Sequence, residues 1–408
     1  MKILEGQGVT SAKGFEAAGV EAGIKYTNRL DMALLYSEKP CVAAGTFTTN
    51  LVKAAPVKWD KMVVDNSDFV QAVVCNAGIA NAGTGKQGMQ YCMETAQALG
   101  KELNLPAESI LVTSTGVIGM QLPMDKIKNG IHMLVKEKKE GIEAGHIAAR
   151  AIMTTDTMPK EVAVSFEVDG VTVTLGGMCK GSGMIHPNMC TMLGFLATDV
   201  AISKELLVKA LKEDVVDTFN MISVDGDTST NDSLLILANG MAGNKEITEE
   251  GEAYEKFKEA LHYVNRELAM KMAGDGEGAT ALFECTVVNA KTKQDARILA
   301  KSVICSSLSK AAIYGHDANW GRFLCALGYS GAQFDPDGIE ISYVGGGKSI
   351  LVYQDGAGTD YSEEEATEVL KNEKVTVYVD MKDGTENATA WGCDLTYDYV
   401  KINADYRS

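Results

Sequence analysis

The chain has 408 residues, 46% of them hydrophobic and 23% charged, with a net charge of −17 at pH 7. That length exceeds one simple core, so one large or two medium domains are expected. With no block of Lys or Arg, a nucleic-acid partner is not expected, and the lack of about 18 consecutive apolar residues argues against a membrane-spanning helix.

In chain order, residues 2–10 read as a strand and 71–78, QAVVCNAG, as a second. A helix follows over 89–104, a strand over 109–119 and a helix over 124–137. Residues 162–178 read as a hairpin, with β-branched runs on either side of Asp169-Gly170, a favoured two-residue turn. Helices are expected at 201–214 and 248–273. The second is well marked, because Tyr254, Phe257, Leu261, Val264, Leu268 and Met272 recur every three or four residues. Strands at 216–225 and 283–290, a helix at 294–309 and strands at 338–344 and 349–354 come next. A helix at 361–373 opens on Ser362 with Glu365 three residues on, a capping box. Strands at 375–381 and 390–403 close the chain. The order lacks the regular alternation of a parallel doubly wound fold, so the fold class expected is α+β with layered sheets and helices.

Forty-one glycines against seven prolines suggest many tight turns. The nine cysteines are scattered without a CxxC pair, as expected for reduced thiols in a cytoplasmic protein. Residues 1–19 carry no apolar core of the signal-peptide kind. The five histidines never fall at metal-ligand spacing, so no metal site is expected.

Two glycine clusters mimic phosphate loops. GGGKS at 345–349 has Ser342 where a Walker motif needs glycine and leads into a strand, so it reads as a hairpin turn. GTGKQG at 83–88 has Ala80 at the equivalent place and fails too. LVTSTGVIG at 111–119 carries more. Its β-rich run enters a Ser-Thr-Gly turn where Gly116 could aim neighbouring N–H groups, with the Thr115 hydroxyl, at a developing oxyanion. Taken alone, the stretch reads first as an ordinary strand-end turn.

KGSGMIHPNMCTML runs over 180–193. A threonine hydroxyl inside a chain is a poor nucleophile without a base. Cutting the bond before Thr191 would create an α-amine of pKa about 7.7–8.0, far better matched to neutral pH than a lysine near about 10.4. Pro187 biases His186 toward extended geometry. Without context, an Asn-Met-Cys-Thr-Met run is more often simply packed.

That stretch resembles the ornithine acetyltransferase / glutamate N-acetyltransferase family of arginine biosynthesis, whose pattern is Lys-Gly-Ser/Ala-Gly-Met-Ile-x-Pro-Asn-Met-Ala-Thr-Met-Leu. The likeness extends through GVTSAKGFEAAGVEAGIK (8–25), AAGTFTTNLVKAAPV (43–57), STGVIG (114–119), AIMTTDTMPK (151–160), SVDGDTSTNDS (223–233), DANWGR (317–322) and the C-terminal residues 388–408. The resemblance implies a layered α/β sandwich of the DmpA/ornithine acetyltransferase type, similar to N-terminal-nucleophile hydrolases. It implies self-cleavage between Cys190 and Thr191 into an α chain, 1–190, and a β chain, 191–408, held together as α2β2.

Thr191 would then be the nucleophile that carries the acetyl group, with Thr115 and Gly116 as its oxyanion hole. Substrate contacts carry over to Thr154 and Thr155 (one or both), Lys180, Thr191, Glu277, Asn403 and Ser408. Lys180 suits an α-carboxylate and Glu277 an ornithine ammonium. The small-molecule substrates implied are N-acetylornithine and glutamate, with no metal or bound cofactor; acetyl-CoA as a second donor stays open. A DmpA-type amidohydrolase or aminopeptidase, passing the acyl group to water, is the alternative. The sequence departs from the family at Cys190, where alanine is usual, at NAGIANAGTG (76–85) and at His316, where arginine is frequent.

Overall fold

The computed structural model describes residues 1–186 and 192–404. They form two compact units. The first holds Met1–Gly181, the described part of Pro187–Phe219, and Thr228–Leu268; the second holds Ser182–His186, Asn220–Asp227 and the described part of Ala269–Ser408.

The first unit is built on a nine-stranded sheet. In chain order its elements are β1 (Lys2–Ile3), β2 (Phe15–Val20), β3 (Met32–Phe47), α1 (Ala55–Asn66), β4 (Val70–Ile79), α2 (Gly85–Leu103) and β5 (Ile110–Val117). There follow α3 (Met124–Glu137), α4 (Ile142–Ala151), β6 (Lys160–Val168), β7 (Val171–Lys180), β8 (Leu193–Thr198) and α5 (Lys204–Asp214). After β9 (Ile222–Ser223), which belongs to the second unit, come β10 (Ser233–Ala238) and α6 (Glu252–Gly274), the last of these belonging to the first unit as far as Leu268.

Strand order is β1-β6-β7-β8-β10-β3-β4-β5, with β2 also on β3. The long β3 serves two neighbourhoods. Its first half pairs with β2 and β4 and its second half with β10, across a register shift between Tyr36 and Cys41. β4, β8 and β10 are buried along their whole length, which explains why they read as unbroken apolar runs rather than alternating ones. Helices α1 and α2 pack on β5, and α3 and α4 pack on β2.

The 162–178 hairpin forms as expected. Asp169 and Gly170 both adopt positive φ, 50° and 78°, the turn that joins β6 to β7. The apolar stripe of α6 is fully buried at every one of its six positions.

The second unit has a seven-stranded sheet in the order β14-β13-β12-β15-β11-β16-β9. Its further elements are β11 (Leu282–Ala290), α7 (Lys293–Cys305), α8 (Ser307–Gly315), α9 (Trp320–Gly328), β12 (Glu340–Gly345) and β13 (Lys348–Gln354). Then come β14 (Ala357–Gly358), α10 (Glu363–Leu370), β15 (Lys374–Asp380), β16 (Glu386–Cys393) and α11 (Tyr397–Ala404). GGGKS is the β12–β13 turn, with Gly346 and Gly347 at φ 57° and 78°. Ser362 caps α10 by accepting the Glu365 amide at 3.2 Å. The layered α+β architecture implied by the resemblance is the one observed.

Four expectations change. Only Lys2–Ile3 of 2–10 is strand, since Gly6 turns the chain at φ 65°. Residues 216–225 hold a short 3-10 turn, Phe219–Met221, and the two-residue β9. The helix expected at 294–309 is two, because Ser306 leaves helical geometry and its hydroxyl accepts the Ser309 amide to start α8. The strand expected over 390–403 ends at Cys393; the Thr396 hydroxyl then accepts the Tyr399 amide and opens α11.

The compact units do not coincide with 1–190 and 191–408. Strands β8 and β10 come after residue 191, yet they lie between β7 and β3 in the first sheet, each joined to its neighbour over six residues.

Candidate active site

In the first unit, three sequence-distant segments converge. β5 carries Thr115 and Gly116. Rather than turning, as expected, the strand runs on to Val117, with Gly116 at φ 126° paired to Gly78 of β4, itself at φ 106°. A Cβ on Gly116 would lie 2.2 Å from the Gly78 carbonyl carbon. Glycine is required there because two backbones touch.

β7 ends on Lys180, which is 7% exposed. Its Nζ donates to Thr115 Oγ1 at 3.3 Å. With an ammonium occupying one lone pair of that oxygen, the Thr115 hydroxyl proton is left to donate elsewhere.

The third segment is the TTD loop after α4. Thr154 and Thr155 are half-buried, and Asp156 is buried. Asp156 Oδ2 accepts the Thr154 amide at 3.0 Å, and Oδ1 accepts the Gly181 amide at 2.7 Å. Asp156 thus ties the loop to the residue after Lys180. Lys160 Nζ completes the cluster at 2.7 Å from Asp156 Oδ1, both side chains being fully buried. Burial alone would raise the Asp156 pKa, but Lys180 and Lys160 override it and hold the carboxyl well below the usual range. Arg29 fastens the same loop by donating to the carbonyls of Met153 and Thr154 at 2.8 and 2.5 Å.

Asp232 lies next to the start of β10, whose Ser233 donates its amide to the Met192 carbonyl at 2.8 Å. Burial pushes the Asp232 carboxyl well above the ordinary range, against Ser229, Lys180 and Thr48. Its Oδ2 accepts no hydrogen bond from the described residues. Beside it, Asn231 Nδ2 donates to the carbonyls of Ala80 and Ser114 at 2.6 and 2.7 Å, which pins β5 immediately before Thr115.

In the second unit, Glu277 is 5% exposed and its Oε2 accepts from Asn403 Nδ2 of α11 at 2.6 Å. A Cβ on Gly183 would lie 2.3 Å from that oxygen, so the glycine loop is shaped around the carboxyl.

The structure therefore brings Thr115, Gly116, Thr154, Thr155 and Lys180 into the first unit, and Glu277 with Asn403 into the second. Thr191, Cys190 and Ser408 lie outside the described residues. Reading the sequence missed Asp156, Lys160, Asn231 and Asp232 as parts of the site. All four sit inside quoted motifs, AIMTTDTMPK and SVDGDTSTNDS, where for Asp156, Asn231 and Asp232 a carboxyl or amide beside a small hydroxylated run was the available signal.

No group of three or more metal-ligating side chains occurs among the described residues. No disulfide joins the described cysteines, and no helix among the described residues is long and apolar enough to cross a membrane.

A two-unit α+β fold whose buried threonine–lysine pair lies at the strand ends has the layout of an acyl-transfer enzyme. A sequence model of the ArgJ family matches residues 16–408. Across its whole length the chain is 51% identical to an arginine biosynthesis bifunctional protein, ArgJ 1, of Clostridium acetobutylicum, covering 99% of it. It is 50% identical over 97% of its length to the ArgJ protein of Thermotoga neapolitana, again covering 99% of that relative. The crystal structure of the ArgJ protein from Bacillus halodurans matches with a TM-score of 0.50 at 45% identity, covering 52% of this chain and 98% of that one. The chain belongs to the ArgJ family and is an acyltransferase of arginine biosynthesis.

Proposed function

We propose that the protein transfers the acetyl group of N2-acetyl-L-ornithine to L-glutamate through an ester on Thr191, after cutting itself between Cys190 and Thr191. In the cut, Thr191 Oγ adds to the Cys190 carbonyl carbon and its proton passes to the departing nitrogen, which becomes the Thr191 α-amine. Water then hydrolyses the resulting ester and leaves the Cys190 carboxylate. In turnover, that amine takes the hydroxyl proton while Oγ attacks the acetyl carbonyl, and ornithine leaves as the protonated amine. Glutamate's α-amine attacks the acetyl ester and returns the hydroxyl.

The observation that carries this reading is the buried Lys180–Thr115 pair. A hydroxyl whose lone pair is engaged by an ammonium is a polarised donor suited to an oxyanion. Lys180 also supplies the charge that a substrate α-carboxylate requires, and Asp156 ties the Thr154–Thr155 loop to the residue after it. Glu277, oriented by Asn403, supplies the counterpart for an ornithine ammonium, and Ser408 is assigned to substrate by the resemblance alone. Self-cleavage is supported by length: the Bacillus halodurans chain is nearly covered by a match to half of this one.

The relatives are named bifunctional. We extend that here to acetylation of glutamate from acetyl-CoA on the same threonine, with no bound cofactor. The α and β chains, assembled as α2β2, would act in the cytoplasm.

Thr191→Ala tests the whole reading. The expected result is one band at 43.6 kDa and no acetyl transfer from either donor. Two bands, or transfer at the normal rate, would contradict it.

A further inference from the structure

The segment leading to residue 187 is held by one carboxyl. Asp225 Oδ2 accepts the Met184 amide at 2.6 Å, and Oδ1 accepts the Ile185 amide at 2.9 Å. The Val224 amide donates to the Ile185 carbonyl at 2.7 Å. The same carboxyl accepts the Asp227 amide at 3.1 Å and the Tyr399 hydroxyl, from α11, at 3.2 Å. Both of its oxygens are therefore fully engaged.

What this carboxyl holds is unusual. Met184 sits at φ 54°, in the left-handed region that a methionine rarely adopts. Such a conformation persists only when surrounding contacts over-determine it. The Met184 side chain is 42% exposed and cannot supply that hold by burial. Neighbouring residues are fixed independently. Ser182 Oγ donates to the Asp275 carbonyl at 2.7 Å, the Glu277 amide donates to the Ser182 carbonyl at 3.0 Å, and Ile185 is buried. Met184 is thus a strained link between two anchored points, and Asp225 is its fastening.

We propose that Asp225 is a positioning residue for self-cleavage. By holding Met184 in the left-handed conformation it sets the direction in which the chain enters the segment cut before Thr191, and the Tyr399 hydroxyl, bonded to the same Oδ2 that accepts the Met184 amide, holds the carboxyl in place. The inference rests on the self-cleavage reading above. It adds that the chain after the cut site takes part in making the cut, because Asp225 and Tyr399 both follow residue 191 in sequence. The carboxyl touches no reacting atom in this account; it acts through backbone geometry.

The experiment follows decay of the full-length band after cell-free synthesis. It compares the wild type with Asp225→Ala, Asp225→Asn, Tyr399→Phe and the double variant Asp225→Ala/Met184→Gly. Each is held at a temperature well below its own unfolding midpoint, with folding checked by circular dichroism. Asp225→Ala is expected to slow cleavage by at least about tenfold. Asp225→Asn, which keeps one acceptor oxygen, and Tyr399→Phe slow it less. Glycine adopts positive φ at no steric cost, so Met184→Gly in the Asp225→Ala background restores at least about threefold of the loss. A merely structural anchor would lower the midpoint without that rescue. Should Asp225→Ala fail to fold, Asp225→Asn carries the comparison. Cleavage of folded Asp225 variants at the wild-type rate, or no rescue by glycine, overturns the proposal. A wild type that never cleaves overturns the self-cleavage reading itself, a distinguishable result.

Discussion

Lys180 Nζ, at the end of β7, donates to Thr115 Oγ1, at the end of β5, across 3.3 Å in a buried setting. These strands are far apart in the order of the sheet, so the contact depends on the double pairing of β3. If the Thr115 hydroxyl donates to the oxyanion, Thr115→Ala lowers kcat by about 10²–10³-fold, while Thr115→Ser retains most of it. Steady-state rates with N-acetylornithine and glutamate check this. Equal rates for the alanine variant would remove Thr115 from the chemistry.

Gly116→Ala is a different case. A methyl group there meets the Gly78 backbone at 2.2 Å, and the residue already sits at φ 126°. The variant is expected to lose stability as well as activity, read as a lowered unfolding midpoint.

The Asp156–Lys160 pair makes a pH prediction. Asp156 titrates below its ordinary range in the folded state. The stability that its ionised form contributes is therefore present above the unfolded carboxyl value, about 3.9, and is lost as pH falls through the lower folded value. Asp156→Asn should flatten the acid limb of the stability profile below about pH 4. Lys160→Met leaves a buried carboxylate short of a partner and should cost about 3–5 kcal/mol in denaturant titrations.

Asp60 works in the opposite sense. It lies on α1 and is fully buried; its Oδ1 accepts the Val112 amide at 2.7 Å, and its Oδ2 has no hydrogen-bond partner among the described residues. Burial pushes its pKa well above the ordinary range. The folded state thus favours the protonated form, and stability is lost as pH rises from the unfolded value toward the folded one. Asp60→Asn keeps the acceptor for Val112 without the charge, so it should be neutral or stabilising at pH 7. Asp60→Leu orphans that amide and should cost about 1–3 kcal/mol. Urea midpoints at two pH values decide between these.

Much of this layout was legible in the sequence. The β6–β7 hairpin followed from Asp169-Gly170 and the β-branched runs beside it, and α6 from a stripe with helical period. What escaped was set by tertiary context. β8 and β10 are short strands buried on both faces, so LGFLAT and SLLILA show no alternation to read. Tyr397–Ala404 carries β-prone residues, yet a Thr396 cap turns it helical. The Asp156–Lys160 pair was invisible because burial, not spacing, makes four residues' separation matter outside a helix. Thr115 was named from the Ser-Thr-Gly stretch and Lys180 through the resemblance; that they touch required the fold.

Strands β8 and β10, both C-terminal to the proposed cut, are laced between β7 and β3, which precede it. The two products should therefore migrate together in gel filtration and part only in denaturant. Separation under native conditions would contradict the shared sheet.

The most direct measurement is mass spectrometry of the enzyme after incubation with N-acetylornithine in the absence of glutamate. The account predicts a polypeptide beginning at Thr191 and bearing one acetyl group, which glutamate then removes. An active enzyme in which residues 190 and 191 are still joined, or whose acetyl group is found on any other residue, would contradict it.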